Sequence, residues 1–173
     1  MSAPRDHSSA STGSHALRTI AIAGLIAGTL DGTAASLFYG AAPLRIFQSV
    51  AAGLLGDRAY DGGLATGLLG LLLHFTIATT AAAVFYVASQ RWPALERYAV
   101  PAGIAYGIVV YFFMRLVVLP LSAATLQPLT AAMVAKGLAI HVVCIGLPIA
   151  LTVHYAGRKR TSRPGSSSSA AHT

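Results

Sequence analysis

Four apolar stretches, each long enough to cross a bilayer and each carrying an ionisable residue well inside its ends, limit what this chain can become. Asp31 lies in the first, His74 in the second, Arg115 in the third, and Lys136 with His141 in the fourth. Residues 20–39, 62–89, 99–122 and 131–155 all reach the roughly 20 residues that span about 30 Å of hydrocarbon. Unpaired backbone groups are costly in lipid, and the stretches lack the alternation of barrel strands, so each is expected as a helix. The predicted class is all-α: an integral membrane four-helix bundle.

Composition removes the main soluble alternatives. Hydrophobic residues make up 55% of the 173 and charged ones only 10%, a balance that suits lipid better than water. A net charge of +7 invites comparison with nucleic-acid binders, but the basic residues sit in short clusters beside apolar runs and form no basic face. No nucleic-acid partner is expected. The expected partner is a lipid bilayer with an anionic inner leaflet, to which the 158–163 run would be drawn by about 1 kcal/mol per charge. Arginine outnumbers lysine and Ala and Gly are abundant, a bias typical of bacterial genomes rich in GC. Cys144 is the single cysteine and lies in an apolar run, so neither an internal disulfide nor a cysteine metal cage is expected.

Residues 1–16 and 158–173 lack apolar periodicity, the latter being basic and Ser-rich; both read as tails around one transmembrane domain at 17–157. Placing both termini in the cytoplasm puts Arg5, Arg18, Arg91, Arg97, Arg158, Lys159, Arg160 and Arg163 inside, leaving Arg45 and Arg58 in outer loops. The expected location is therefore the bacterial inner membrane, crossed four times. Trp92, Tyr98, Tyr39 and Tyr60 fit an interfacial aromatic belt. A competing reading makes the first stretch a signal peptide cut near Ala35; its continuation to Tyr39 and its glycine pattern favour retention.

Between the first two spans, Pro43 opens a segment in which Leu44, Phe47, Val50, Ala51, Leu54 and Leu55 recur at helical spacing, while Arg45 and Gln48 fall elsewhere; Gly56 with Asp57 closes it. Too short to span, it reads as an interfacial helix, with a re-entrant helix or a lid as alternatives.

Small residues specify the helix contacts. Gly24, Gly28 and Gly32 form a ridge on the first span, with Asp31 close to its centre. Gly63, Gly67, Gly70 and His74 share a stripe on the second span, and Gly137, His141, Cys144 and Pro148 on the fourth. The third offers Gly103 and Gly107. Such faces pack helices within a chain or join copies into a homo-oligomer. They also hint at a repeat. AGLIAG at 23–28 matches AGIAYG at 102–107, and Gly-x-x-x-His occurs at Gly70/His74 and Gly137/His141, as expected of a parallel duplication about an axis along the membrane normal.

At 1.5 Å per residue, Asp31, Arg115, Lys136 and both histidines fall in the middle or outer half of the bilayer. A lone charge there costs on the order of 2.5 to 3.5 kcal/mol, so Asp31 is expected to pair with Arg115 or Lys136. The first functional reading is a structural or interaction protein whose Asp31, His74, Arg115, Lys136 and His141 cluster fixes helix packing. The alternative is a small transporter or channel for protons or a small anion using the same groups. A third, weaker reading makes His74 and His141 axial haem ligands. With one intramembrane acid and no carboxylate pair, nucleophile elbow, P-loop or metal constellation, an enzyme is not expected, nor a resident cofactor or metal.

The segments GLIAGTLDGTAA at 24–35, LLGLLLHF at 68–75, YFFMRLVVLPLSA at 111–123 and HVVCIGLPIAL at 141–151 resemble small bacterial inner-membrane proteins similar to the YagU-like family. The resemblance covers nearly the whole chain between the tails. It implies four spans, and it carries over neither an activity nor a functional residue.

Overall fold

The computed structural model describes residues 7–125 and 130–161, and every regular element among them is helical. The first rod is α1 (His7–Tyr39). After a turn at Gly40 come α2 (Pro43–Leu55), a 3-10 turn (Gly56–Tyr60) and the second rod, α3 (Gly63–Arg91). A short α4 (Pro93–Arg97) leads into α5 (Ala99–Phe113), which continues as a π turn over Met114–Val118. The fourth rod is α6 (Ala131–Ile140), a π turn at His141–Gly146, and α7 (Leu147–Thr161). Its start is set by Thr130, whose hydroxyl accepts the Met133 N–H at 3.2 Å.

Among the described residues, four rods are long and apolar enough to cross a membrane: Gly13–Tyr39, Gly63–Arg91, Ala99–Val118 and Ala131–Lys159. The chain is a multi-pass membrane protein, an up-down-up-down helical bundle with α2 at one end, the lid end, and α4 at the other, the terminal end. The helix α1 begins within the stretch read above as tail, at His7. Likewise α7 runs to Thr161. The rest of both tail assignments lies outside the described residues.

The packing inverts that of a soluble bundle. Ala23, Ala27, Ala82 and Ala150 are fully buried, joined by Phe85, Ile149 and Val153, while Leu25, Leu68, Leu72, Val109 and Leu116 face outward. Outward leucines lose nothing in lipid, and small inward residues let backbones approach closely. Hydroxyls in this setting are satisfied locally: Thr33, Thr76 and Thr80 donate to the carbonyls four residues back at 2.7–2.8 Å.

Glycine contacts pair α1 with α3 and α5 with the fourth rod. A shift of 79 residues carries Gly24 and Gly28 of α1 onto Gly103 and Gly107 of α5; a shift of 67 carries Gly70 and His74 onto Gly137 and His141. Gly24 lies against Thr79 and Gly28 against Phe75; Gly103 lies against Gly146 and Gly107 against Val142. Thr79 and Phe75 map onto Gly146 and Val142 under the shift of 67, so these two contacts repeat, whereas Gly70 meets Phe47 of α2 and its counterpart Gly137 meets Tyr111 of α5. The α1 ridge is thus occupied by α3 of the same chain. Gly137 lies against the Tyr111 ring. Gly63 meets nothing within 4 Å; it is needed for its φ of +54° at the start of α3 and does not pack.

The helix between the first two spans keeps Phe47, Val50 and Ala51 of its expected apolar face on the bundle but is rotated so that Gln48 turns inward as well. Gln48, Ala51 and Ala52 are the buried residues of α2, and Leu44, Leu54 and Leu55 are exposed. Gln48, only 3% exposed, donates from Nε2 to the Gly63 carbonyl at 3.0 Å. The amide must find a protein partner, whereas the leucines need none in lipid. Phe47 of α2 reaches Gly32 and Gly70, about two turns inside the ends of α1 and α3. At its other end α2 is tied to the segment after α5: Ala123 N–H donates to the Gly53 carbonyl at 2.9 Å, and the Thr125 hydroxyl to Asp57 at 3.1 Å. It is a wedge across the lid end.

Candidate functional site

Beneath α2 lies a cavity of about 260 Å³ to which all four rods contribute. α1 supplies Asp31, α3 supplies His74, the π turn after α5 supplies Arg115, and the π turn between α6 and α7 supplies His141; Val50 of α2 closes the lid side. Four of the five polar residues singled out from the sequence therefore line one space. Lys136 does not: it is exposed on α6 and absent from the lining. Its long flexible stem lets the ammonium escape the apolar layer without a partner.

The expected buried charge cluster needs a further correction. Asp31, His74, Arg115 and His141 are all half-buried, walls of a cavity and not a sealed core, and no charged side chain among the described residues is fully buried. The two histidines lie within electrostatic reach of Asp31, one from α3 and one from the π turn of the fourth rod. Arg115 lies within electrostatic reach of the Tyr39 phenol.

Each imidazole is oriented by one nitrogen. His74 donates from Nε2 to the Gly28 carbonyl at 2.8 Å, crossing from α3 to α1, and is held edge-on by Phe47 and Phe75 with ring centroids 5.6 and 5.5 Å away. His141 donates from Nδ1 to the Gly137 carbonyl at 2.9 Å and packs edge-on against Tyr111 at 5.4 Å. In the neutral state this selects the Nε2–H form for His74 and the Nδ1–H form for His141. The second nitrogen of each ring is then a base able to take up a proton. The haem reading fits poorly, since ligation through His74 Nε2 would break the bond that orients the ring. No group of three or more metal-ligating side chains occurs among the described residues.

The two π turns were not foreseen, although the sequence carries a sign of both. Each ends at a Leu-Pro pair, Leu119-Pro120 and Leu147-Pro148. Proline lacks the N–H that would bond the carbonyl four residues back, here those of Leu116 and Cys144. The backbone widens instead: Leu119 N–H reaches the Met114 carbonyl at 2.9 Å and Leu147 N–H the Val142 carbonyl, both five residues back. On the fourth rod the extra residue moves the buried face from Gly137 and Ile140 to Ile145, Gly146, Ile149, Ala150 and Val153. Cys144 and Pro148, read above as part of the packing stripe, are left half-buried beside it.

The cavity sits between the two repeats. Under the shifts given above, Asp31 corresponds to Val110, His74 to His141 and Ala78 to Ile145, and all six line it. Asp31 and Arg115 break the symmetry, one charge in each half. Comparison with known proteins found no matching family model, no similar curated protein and no similar solved structure.

Proposed function

We propose that this chain is a small carrier whose central cavity takes up protons together with a small anionic solute. One observation carries the reading: the cavity lies at the interface of two repeats and is lined by Asp31, His74, Arg115 and His141. Repeat interfaces near the bilayer midplane are where many transporters hold their substrates, because the two halves can rock about a fixed site. Arg115 supplies the charge for an anion, and the second ring nitrogens of the two histidines, with Asp31, offer places where a proton can be taken up. We place the chain in a bacterial inner membrane with both termini cytoplasmic, supported by Arg18, Arg91, Arg97, Arg158 and Lys159 at the terminal end against Arg45 and Arg58 at the lid end. The YagU-like resemblance agrees with that location and names no activity.

The structural reading retains one specific observation, the bond from His74 to Gly28 that ties two rods together. Reconstituted liposomes separate the two. Proton and anion flux lost in Asp31→Asn, with thermal stability unchanged, supports the carrier. Loss of folding in the variant, with no flux in the parent, supports the structural role. Unchanged flux and unchanged stability remove Asp31 from both.

A further inference from the structure

Alongside the central cavity runs a second space of about 380 Å³, between α3 and α5. Its walls are apolar: Ile77, Thr80 and Val84 on one side, Tyr106, Val109 and Phe113 on the other. The Thr80 hydroxyl is bonded back to Thr76, and the Tyr106 hydroxyl donates across the gap to the Ala81 carbonyl at 2.7 Å, so neither asks for a polar ligand. The two spaces share Ile77, Ala81, Val110 and Met114 as common walls. Val84 and Val109 are more than half exposed, so the groove faces the bilayer. From Tyr106 to Val118 it follows α5 and its π turn for about 18 Å, close to half of a hydrocarbon core of about 30 Å.

An apolar slot about 18 Å long, opening sideways to lipid and sharing walls with a cavity lined by Arg115 and two histidines, fits a molecule of two parts. We propose that the α3–α5 groove is a lateral portal for a single-chain lipid with an anionic head group, the chain lying in the groove and the head beside Arg115. The proposal rests on the carrier reading and narrows its substrate from a small solute to an amphiphile. A water-borne anion would make no use of the groove, and a two-chain lipid would leave one chain outside it.

The test uses the full chain in nanodiscs and a long-chain carboxylate with a photoreactive group at its far end. Labelling is expected to concentrate on the α3 and α5 groove walls. Val109→Trp and, from the opposite wall, Val84→Trp should each abolish that labelling; both sites are lipid-facing, so folding should survive, as circular dichroism would verify. Leu68→Trp, outside the groove, should change nothing. Arg115→Gln should weaken binding of the carboxylate about tenfold, the scale of one charge-assisted hydrogen bond, and leave the matching long-chain alcohol unaffected. Labelling spread evenly over the lipid-facing surface, or undiminished in both tryptophan variants, would overturn the portal. If the liposome flux nevertheless depended on Asp31, the carrier would stand with a water-borne substrate; groove labelling without any flux would leave the lipid site and remove the carrier.

Discussion

His74 of α3 donates its Nε2 proton to the backbone carbonyl of Gly28 in α1 at 2.8 Å, at the level where the two helices touch through Gly28 and Phe75. The same ring lines the central cavity. One side chain therefore joins helix docking to the candidate site. Replacing His74 with Leu keeps an apolar body but removes the bond, and interhelical hydrogen bonds in membranes contribute about 0.6 kcal/mol on average and up to about 1.7. His74→Leu should lower unfolding stability in mixed micelles by that amount. A larger loss would mean that the ring's contacts with Phe47 and Phe75, and not its hydrogen bond, carry the docking.

The two glycine ridges should respond differently to an added methyl group. At Gly28 a Cβ would lie 2.8 Å from the Phe75 ring, which can swing aside. At Gly107 it would lie 2.7 Å from the His141 carbonyl oxygen and 2.6 Å from the Val142 Cα, backbone atoms that move only with the whole helix. Gly107→Ala is expected to cost about 1 to 3 kcal/mol and Gly28→Ala under about 1. Equal losses in the two variants, read from the same unfolding titration, would contradict the difference between a movable and a fixed neighbour.

Pro148 offers a test of opposite sign to ordinary helix rules. In a plain helix interior, Pro→Ala should stabilise by about 3 kcal/mol. Here an N–H at position 148 could bond the Cys144 carbonyl, close the π turn and rotate everything after it by one residue, about 100°. Ile149, Ala150 and Val153 would leave the core they fill. Pro148→Ala should therefore destabilise the bundle and change the maleimide reactivity of Cys144, the single cysteine. A gain near 3 kcal/mol with unchanged Cys144 labelling would show that the π turn has no part in packing.

How far the fold can be read from the sequence follows from these residues. Span number and helix type were legible because length and hydrophobicity alone decide whether a segment is stable in lipid. The close-contact positions were legible through Gly24, Gly28, Gly103 and Gly107, since a missing side chain marks where a neighbour must come close, but not which rod fills them. Gly146 escaped notice because a uniform period of 3.6 residues cannot anticipate the residue inserted by the π turn before Pro148. Gln48 was not legible as a buried residue, because amphipathic logic written for water assigns leucine to the protein and the amide to solvent. Asp31, His74, Arg115 and His141 line one cavity in place of the expected buried cluster; Lys136 stays outside it, because spacing along one helix says nothing about which way a long side chain bends.

Gln48 supplies a last prediction, concerning the lid. Its amide is almost fully buried and bonded to the Gly63 carbonyl at the start of α3, a carbonyl to which the Thr66 hydroxyl also donates at 3.2 Å. Removing the amide leaves that carbonyl with a partner, so the loss is mostly that of one hydrogen bond between α2 and α3, about 0.5 to 1.5 kcal/mol. Because the lost bond fastens α2 specifically, the effect should be local: faster amide hydrogen exchange over Pro43–Leu55 in Gln48→Leu, with α5 and α7 unchanged. Exchange accelerated evenly across all four rods would instead make α2 an integral part of the bundle's cooperative unit, and a lid able to open above the cavity would be ruled out.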